Sequence, residues 1–294
     1  MKNTIIEFRN ISKTYSKIKA LDNISFKIPK NSIFGILGAN GSGKSTLIKI
    51  LPGLIQNYSG EILYNNLLVN KQDPILRKEF GYLIESPTFY EYLSAEKNLQ
   101  ILANISNIKK DRINFVLELV NLSKRASDKV SSYSYGMKQR LGIAQTLLHN
   151  PETIILDEPN NGLDPNGIRD MSKIIKNLRK EGKTICLSTH NLKEVEEICT
   201  HFTVLNKGKN SNTQSIQEQF QNSNKWIINI EEMEEAISIF KRHKKYNYIN
   251  SFNKNIYVES LEKVLINDLN DIVKDLNVNF ISKSSNLIEY FNDN

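Results

Sequence analysis

Residues 38 to 45 have the spacing of a loop that binds phosphate groups. They read Gly-Ala-Asn-Gly-Ser-Gly-Lys-Ser, which matches the pattern G-x-x-x-x-G-K-[ST], and they follow an apolar run typical of a buried strand. Glycines allow successive backbone N–H groups to turn towards phosphate oxygens, and the N-terminus of a following helix adds its positive dipole. Lys44 supplies a charge for the β- and γ-phosphates, and the Ser45 hydroxyl is a ligand for Mg²⁺.

The order of strand, loop and helix signals favours phosphate binding over the alternative of a glycine-rich turn that merely precedes a helix. The expected contacts to a nucleotide are Gly38, Ala39, Asn40, Gly41, Ser42, Gly43, Lys44, Ser45 and Thr46.

Two adjacent acidic residues follow a second apolar strand, 153–156. Asp157 directly follows this strand and presents a carboxylate to the coordination shell of Mg²⁺. It does so at the edge of the sheet where α/β folds bind ligands. Glu158 can polarise an attacking water as a general base. An acidic pair after a strand is a weak signal by itself, but together with the phosphate loop it indicates hydrolysis of a nucleoside triphosphate.

The elements that must position these residues alternate between strands and helices. This alternation predicts an α/β fold with a largely parallel core sheet. Residues 94–149 show helical spacing of apolar positions, and 207–213 are rich in glycine, asparagine and serine, which is typical of a linker. The 294 residues are expected to form two domains, 1–212 and a small α+β domain, 213–294.

Composition excludes several classes of protein. The mean hydropathy is −0.40 and no run of 18 apolar residues occurs, so a membrane span is not expected. The N-terminus lacks the pattern of a signal peptide. Cys186 and Cys199 have no metal-binding spacing and indicate a reduced protein in which both pack in the core. The basic excess lies in residues 1–212; nucleic acid or a membrane surface could explain it, but a solvated lysine-rich surface is favoured.

Further motifs occur in a fixed order around the phosphate loop and the acidic pair. Residues 133–140 read YSYGMKQR, residues 161–165 read NGLDP, and His190 follows a third apolar strand. With Tyr15 ahead of the loop, residues 1–212 resemble the ATP-binding subunits of ABC transporters. The resemblance implies a P-loop ABC ATPase fold with an antiparallel N-terminal β subdomain and a helical signature subdomain.

The same resemblance implies that ATP and Mg²⁺ are held between two head-to-tail copies of the domain. Ser134 and Gly136 begin a helix, form a second anion site, and would reach the γ-phosphate held by the other copy. His190 would contact the γ-phosphate near Glu158, and Asp164 would communicate across the interface. Tyr15 would stack on adenine, with packing against the first sheet as the alternative.

Two positions depart from the general family. Glu85 stands where glutamine is usual, so either its carboxylate ligates the metal or its proton affinity rises. Tyr135 replaces the first glycine of the family signature LSGGQ, which makes a close backbone approach there less assured. Glu85 is therefore expected to take part in catalysis or metal binding.

These departures resemble the bacitracin-resistance and lantibiotic self-protection branch. The matching residues are Ile84, Glu85, Pro87, Phe89, Tyr90, Leu93, Ser94, Ala95, Asn98, Leu99, Tyr133, Ser134 and the run 136–144. The resemblance implies an ATPase at the cytoplasmic face of the membrane. It would work with separate permease subunits, as a homodimer or with a paralogue, to export an antimicrobial peptide.

Two alternatives remain. One is an exporter ATPase of the ABC-2 type for another substrate, and the other is an ABC-type module that acts on ribosomes or nucleic acid. The second is disfavoured, because the chain has one phosphate loop and no long coiled-coil insertion. No nucleic-acid partner is therefore expected.

Overall fold

The computed structural model describes residues 4–69 and 79–284, which fall into two compact units divided between Thr213 and Gln214. The first unit begins with an antiparallel sheet in the order β2-β1-β4-β5. Its strands alternate buried and exposed side chains, as a sheet with one face on the core requires. The strands are β1 (Thr4–Tyr15), β2 (Ile18–Pro29), β4 (Ser59–Tyr64) and β5 (Leu67–Leu68).

The second sheet of this unit forms its core and has the order β10-β9-β3-β8-β7-β6. The strands from β9 to β6 pair in parallel, and β3 and β8 are buried along their whole length. Such burial explains the continuous apolar runs in their sequences. The strands are β3 (Ile33–Leu37), β6 (Phe80–Leu83), β7 (Thr153–Asp157), β8 (Thr184–Thr189), β9 (His201–Asn206) and β10 (Lys209–Asn210).

Helices connect the parallel strands and form a helical region between β6 and β7. The side chains of Ser94 and Ser134 accept hydrogen bonds from the backbone N–H groups of Lys97 and Met137, so each caps the helix that follows it. The helices of the first unit are α1 (Lys44–Ile50), α2 (Ala95–Ile105), α3 (Lys110–Leu119), α4 (Tyr135–Leu147), α5 (Pro165–Lys180) and α6 (Leu192–Ile198).

The second unit is an α+β arrangement with an antiparallel sheet in the order β13-β14-β12-β15. Trp226, Ile228 and Phe240 belong to its own buried apolar core. Its elements are β11 (Gln214–Ser215), α7 (Ile216–Asn222), β12 (Lys225–Ile230), α8 (Met233–Arg242), β13 (Tyr246–Phe252), β14 (Asn255–Ser260), α9 (Ile266–Ile272) and β15 (Val278–Lys283).

The predicted fold class is confirmed, but one local prediction is wrong. Residues 207–213 are not simply a linker, because β10 pairs with β9 and the Gly208 N–H donates to the Ser42 carbonyl at 3.0 Å. Helix α1 ends at Ile50, and Leu54 beyond it is 57% exposed.

A helix must be long and predominantly apolar to cross a lipid bilayer. Over 4–69 and 79–284, no helix combines the length and the apolar character that a membrane crossing requires.

Candidate active site

The phosphate loop joins the end of β3 to the start of α1, where its backbone leaves little room. The Gly38 N–H donates to the Thr189 carbonyl of β8 at 3.1 Å. A Cβ atom at Gly38 would lie 2.4 Å from the Leu205 carbonyl oxygen, so only glycine fits there. Gly43 precedes α1 with a φ of 110°, a conformation that costs other residues energy. The two glycines therefore fix the path of the loop.

Lys44 is the first residue of α1, and its side chain lies inside the phosphate loop. Its side chain is 4% exposed, and Nζ donates to the carbonyl oxygens of Gly38 at 2.9 Å and Ala39 at 3.1 Å. The same Nζ lies 3.3 Å from Oε1 of Glu158. The charge of Lys44 is therefore held at the centre of the loop by two carbonyls and one carboxylate.

The acidic pair at the end of β7 is held by Ser188 of β8. The Ser188 hydroxyl donates to Oδ1 of Asp157 at 2.5 Å and accepts from the Glu158 N–H at 3.0 Å. Asp157 and Ser188 are direct neighbours in the parallel register. Glu158 has a φ of 47°, which turns the chain away from the strand. Ser188 orients both acids, a role that required the strand register to be known.

His190 completes this group from the end of β8. Its Nδ1 lies 3.2 Å from Oε2 of Glu158, so the two oxygens of that carboxylate face Lys44 and His190 respectively. The imidazole is half exposed. Lys44, Glu158 and His190, which are far apart in sequence, thus meet where the parallel strands end.

A buried network lies behind this group. Glu194 of α6 accepts hydrogen bonds from Nδ2 of Asn160 at 2.8 Å and from Oγ1 of Thr189 at 2.5 Å. Burial raises the pKa of the Glu194 carboxyl, although both hydrogen bonds oppose this rise. Sequence reasoning missed these three residues, because their spacing matches no catalytic pattern. The only available signal was that Glu194 follows His190 closely in the sequence.

The signature segment and the segment before α5 form a second cluster. Ser134 caps α4, while Asp164 caps α5 by accepting from the Gly167 N–H at 2.8 Å. Gly136 faces Leu163, and a cavity of about 330 Å³ is lined by Ser134, Gly136, Gly162 and Asp164. Lys44, Glu158 and His190 do not line this cavity. The predicted residues therefore divide into two groups within one copy of the chain.

Glu85 contacts a lysine of α1. Its Oε1 lies 2.7 Å from Nζ of Lys49, and the carboxylate is 72% exposed. Lys49 lowers the pKa of Glu85 by hydrogen bonding and by charge. In the chain without nucleotide, this shift is opposite to the rise in proton affinity that the sequence analysis named as one alternative, because that alternative did not include the cation at Lys49.

Tyr15 lies at the end of β1, beside the turn into β2. Its ring is 44% exposed, and Nζ of Lys13 lies 4.7 Å from the ring centroid. The exposed ring is accessible for stacking, so its adenine role stays a prediction.

The loop was tested for its fit to a triphosphate and Mg²⁺. Ser42 Oγ is buried and has no hydrogen-bond partner among the described residues, while the Cβ direction of Gly41 points into open space. Ala39, Asn40 and Ser45 are exposed around the loop, and Thr46 is half-buried. The Ser45 hydroxyl and the Asp157 carboxylate are oxygen donors of the kind that Mg²⁺ prefers. The residues present fit both groups.

Comparison with known proteins agrees with this fold. The fold and the loop define a P-loop ATPase, and residues 21–161 match the sequence model of the ABC transporter family. An uncharacterized ABC transporter ATP-binding protein, YhcH of Bacillus subtilis, is 38% identical over 82% of this chain and 80% of its own length. The chain therefore belongs to the ATP-binding proteins of ABC transporters, and it is an ATPase coupled to transport.

Two further relatives confirm the predicted branch. The bacitracin transport ATP-binding protein BcrA of Bacillus licheniformis is 45% identical over 70% of this chain and 68% of its own length. The lantibiotic transport ATP-binding protein SrtF of Streptococcus pyogenes is 39% identical over 70% of this chain and 88% of its own length.

Solved structures support the same assignment. The chain is similar to cbiO1 of Clostridium perfringens, part of the ABC transporter complex cbiONQ, with a TM-score of 0.69 and 26% identity. That match covers 82% of this chain and 96% of cbiO1. A nucleotide-free ATP-binding cassette gives a TM-score of 0.66 and 25% identity, over 72% of this chain and 91% of the cassette.

Proposed function

We propose that this chain hydrolyses ATP with Mg²⁺ between two copies of itself, or between itself and a paralogue, to drive export of an antimicrobial peptide. The observation that carries the chemistry is the carboxylate of Glu158, which lies between Lys44 and His190. A carboxylate in this position can accept a proton from a water that attacks the terminal phosphate. Mg²⁺, when bound by Ser45 and Asp157, neutralises charge on the triphosphate oxygens.

The other residues of the loop bind and orient the nucleotide in this proposal. Lys44 moves from the carbonyls of Gly38 and Ala39 to phosphate oxygens, which are stronger partners for an ammonium group. Tyr15 stacks on adenine. His190 holds the attacking water beside Glu158, since the imidazole already faces that carboxylate.

In this proposal, the cluster of Ser134, Gly136 and Asp164 completes the nucleotide site of the partner copy. Ser134 and Gly136 stand at the N-terminus of α4, where free N–H groups and the helix dipole favour an anion. Because Lys44 does not line the cavity of Ser134 and Gly136, one copy by itself holds two half-sites in this proposal. Asp164 fixes the start of α5 beside this second half-site.

A groove beside Glu85 is the surface that we assign to the membrane subunits. It has a volume of about 1140 Å³ and is lined on one side by α4, including Gly142. Leu54 and Ile105 contribute large exposed apolar side chains, Ile105 being 76% exposed. We assign the groove to an amphipathic cytoplasmic segment of a permease subunit, whose apolar face these side chains would bury. The pair of Glu85 and Lys49 lies on the groove wall and links it to α1.

The substrate is proposed from the relatives, whose names refer to bacitracin and lantibiotic transport. The test is a deletion of the gene for this chain, complemented with the parent or with Lys44→Ala. We expect the deletion strain to become sensitive to at least one peptide of a panel that includes bacitracin and a lantibiotic. The parent should restore resistance, and Lys44→Ala should not.

A capture experiment tests the partners and the location at the membrane. The full chain is captured from detergent-solubilised membranes of its own cells, and the bound proteins and RNA are identified. Polytopic membrane proteins should co-purify with it. Co-purification of ribosomal RNA without membrane proteins would replace this function with the ribosomal alternative, and unchanged resistance to the whole panel would exclude the peptide substrate.

A further inference from the structure

Glu194 is a buried carboxylate that the proposed chemistry does not use. It lies in the first turn of α6 and is 8% exposed. A carboxylate in such a place loses most of its hydration, and its hydrogen bonds return only part of that free energy. Its contribution to stability is therefore a weak reason for its presence.

Its two oxygens contact two different segments of the site. Oε1 accepts from Asn160, two residues after Glu158, and Oε2 accepts from Thr189, the residue directly before His190. The Thr189 hydroxyl also accepts from the Asn191 N–H at 3.0 Å, which fixes its orientation towards Glu194. One side chain thus joins the turn after β7 to the turn after β8.

We propose that Glu194 is a positioning residue that keeps the side chains of Glu158 and His190 in the relative positions that hydrolysis requires. This inference rests on the proposed function, in which those two residues act on the attacking water. The quantity that Glu194 would control is the distance between Oε2 of Glu158 and Nδ1 of His190, which is 3.2 Å in this structure. A cavity of about 280 Å³ borders both residues and Glu194, so a loosened network has space into which either turn could move.

The test is the substitution Glu194→Gln in the full chain. Both partners donate to the carboxylate, whereas a glutamine amide is uncharged and offers one acceptor oxygen in place of two, so both contacts lose their charge assistance and one loses its acceptor. We expect kcat to fall about tenfold, the equivalent of one such hydrogen bond. Binding of a non-hydrolysable ATP analogue should change less than about twofold, because the phosphate loop is untouched. Glu197→Gln, an exposed change on the same helix, is the matched control and should keep the parental kcat.

Testing Glu194→Gln in a chain that also carries His190→Ala separates a positioning role from a general structural role. If Glu194 acts through His190, adding Glu194→Gln to His190→Ala should lower the single-turnover rate by less than about twofold. The same tenfold loss in both backgrounds would overturn the inference, as would a kcat for Glu194→Gln within twofold of the parent. If Glu194→Gln fails to fold, Asn160→Ala removes one of the two contacts from the other side. It should lower kcat about three- to tenfold, and an unchanged kcat would overturn the proposal.

The proposed function is tested in the same experiment by Glu158→Gln. A Glu158→Gln variant with parental turnover would refute the function itself. An inactive Glu158→Gln together with a fully active Glu194→Gln would refute only the positioning role.

Discussion

The substitution Glu158→Gln is expected to separate nucleotide binding from hydrolysis. Glutamine keeps the shape of the side chain and one oxygen, but it cannot take up a proton from water. Loss of one general base slows a reaction by about 10²–10⁴-fold, which corresponds to about 2.7–5.5 kcal/mol in the activation free energy. We therefore expect turnover to fall by at least about a hundredfold.

The same change should leave ATP binding intact or strengthen it. Two unit charges 3.3 Å apart, as in Lys44 and Glu158, attract by about 5 kcal/mol at an effective dielectric constant of 20. Most of this energy is offset by desolvation, so a net competition of about 1 kcal/mol with the phosphates is realistic. Its removal should tighten ATP binding by up to about fivefold.

Three measurements on the purified full chain check these values. Phosphate release gives turnover, titration with ATP gives the dissociation constant, and light scattering gives the mass. The variant should form a dimer with ATP that persists, because the two half-sites stay closed when hydrolysis stops. The reasoning is refuted if turnover stays within tenfold of the parent, or if ATP binding weakens more than tenfold while Glu197→Gln behaves as the parent.

Three other perturbations give independent tests. Lys44→Ala should abolish ATP binding, because the side chain whose charge lies at the centre of the loop is lost. Unchanged ATPase activity would contradict the assignment. Glu85→Gln should lower peptide resistance, because the ion pair with Lys49 on the groove wall is lost. Nucleotide affinity should stay unchanged, because the phosphate loop is not altered. Unchanged resistance would show that the carboxylate has no special function. Burial raises the pKa of Cys186 to about 12 and that of Cys199 well above its usual range. Neither thiol should therefore react with iodoacetamide at pH 8 until urea unfolds the chain. Labelling of the folded chain, measured by mass spectrometry, would contradict their burial.

Much of the site could be predicted from the sequence because its chemistry depends on local spacing. The phosphate loop is one short segment in which Gly38, Gly43 and Lys44 must occupy fixed positions between a strand and a helix. The acids after β7 are equally local. Strand and helix periodicity likewise predicted the parallel core sheet and the α+β second unit, since the apolar runs of β3 and β8 reflect burial on both faces.

Other features were decided by contacts that are distant in sequence. Residues 207–213 have the composition of a linker, yet pairing with β9 and the hydrogen bond to Ser42 make part of this segment a sheet edge. The pKa of Glu85 depends on Lys49, a partner 36 positions away. Composition carries no record of either partner, so neither contact could be predicted from it.

The sequence by itself determined the candidate residues for binding phosphate and activating water, because backbone conformation and residue type within single segments define those abilities. Only the tertiary structure decided how the segments meet. The parallel register places Ser188 beside Asp157, and the packing of α6 brings Glu194 to both Asn160 and Thr189. Hydrogen bonds act over about 3 Å, so such networks exist only once strands and helices have packed.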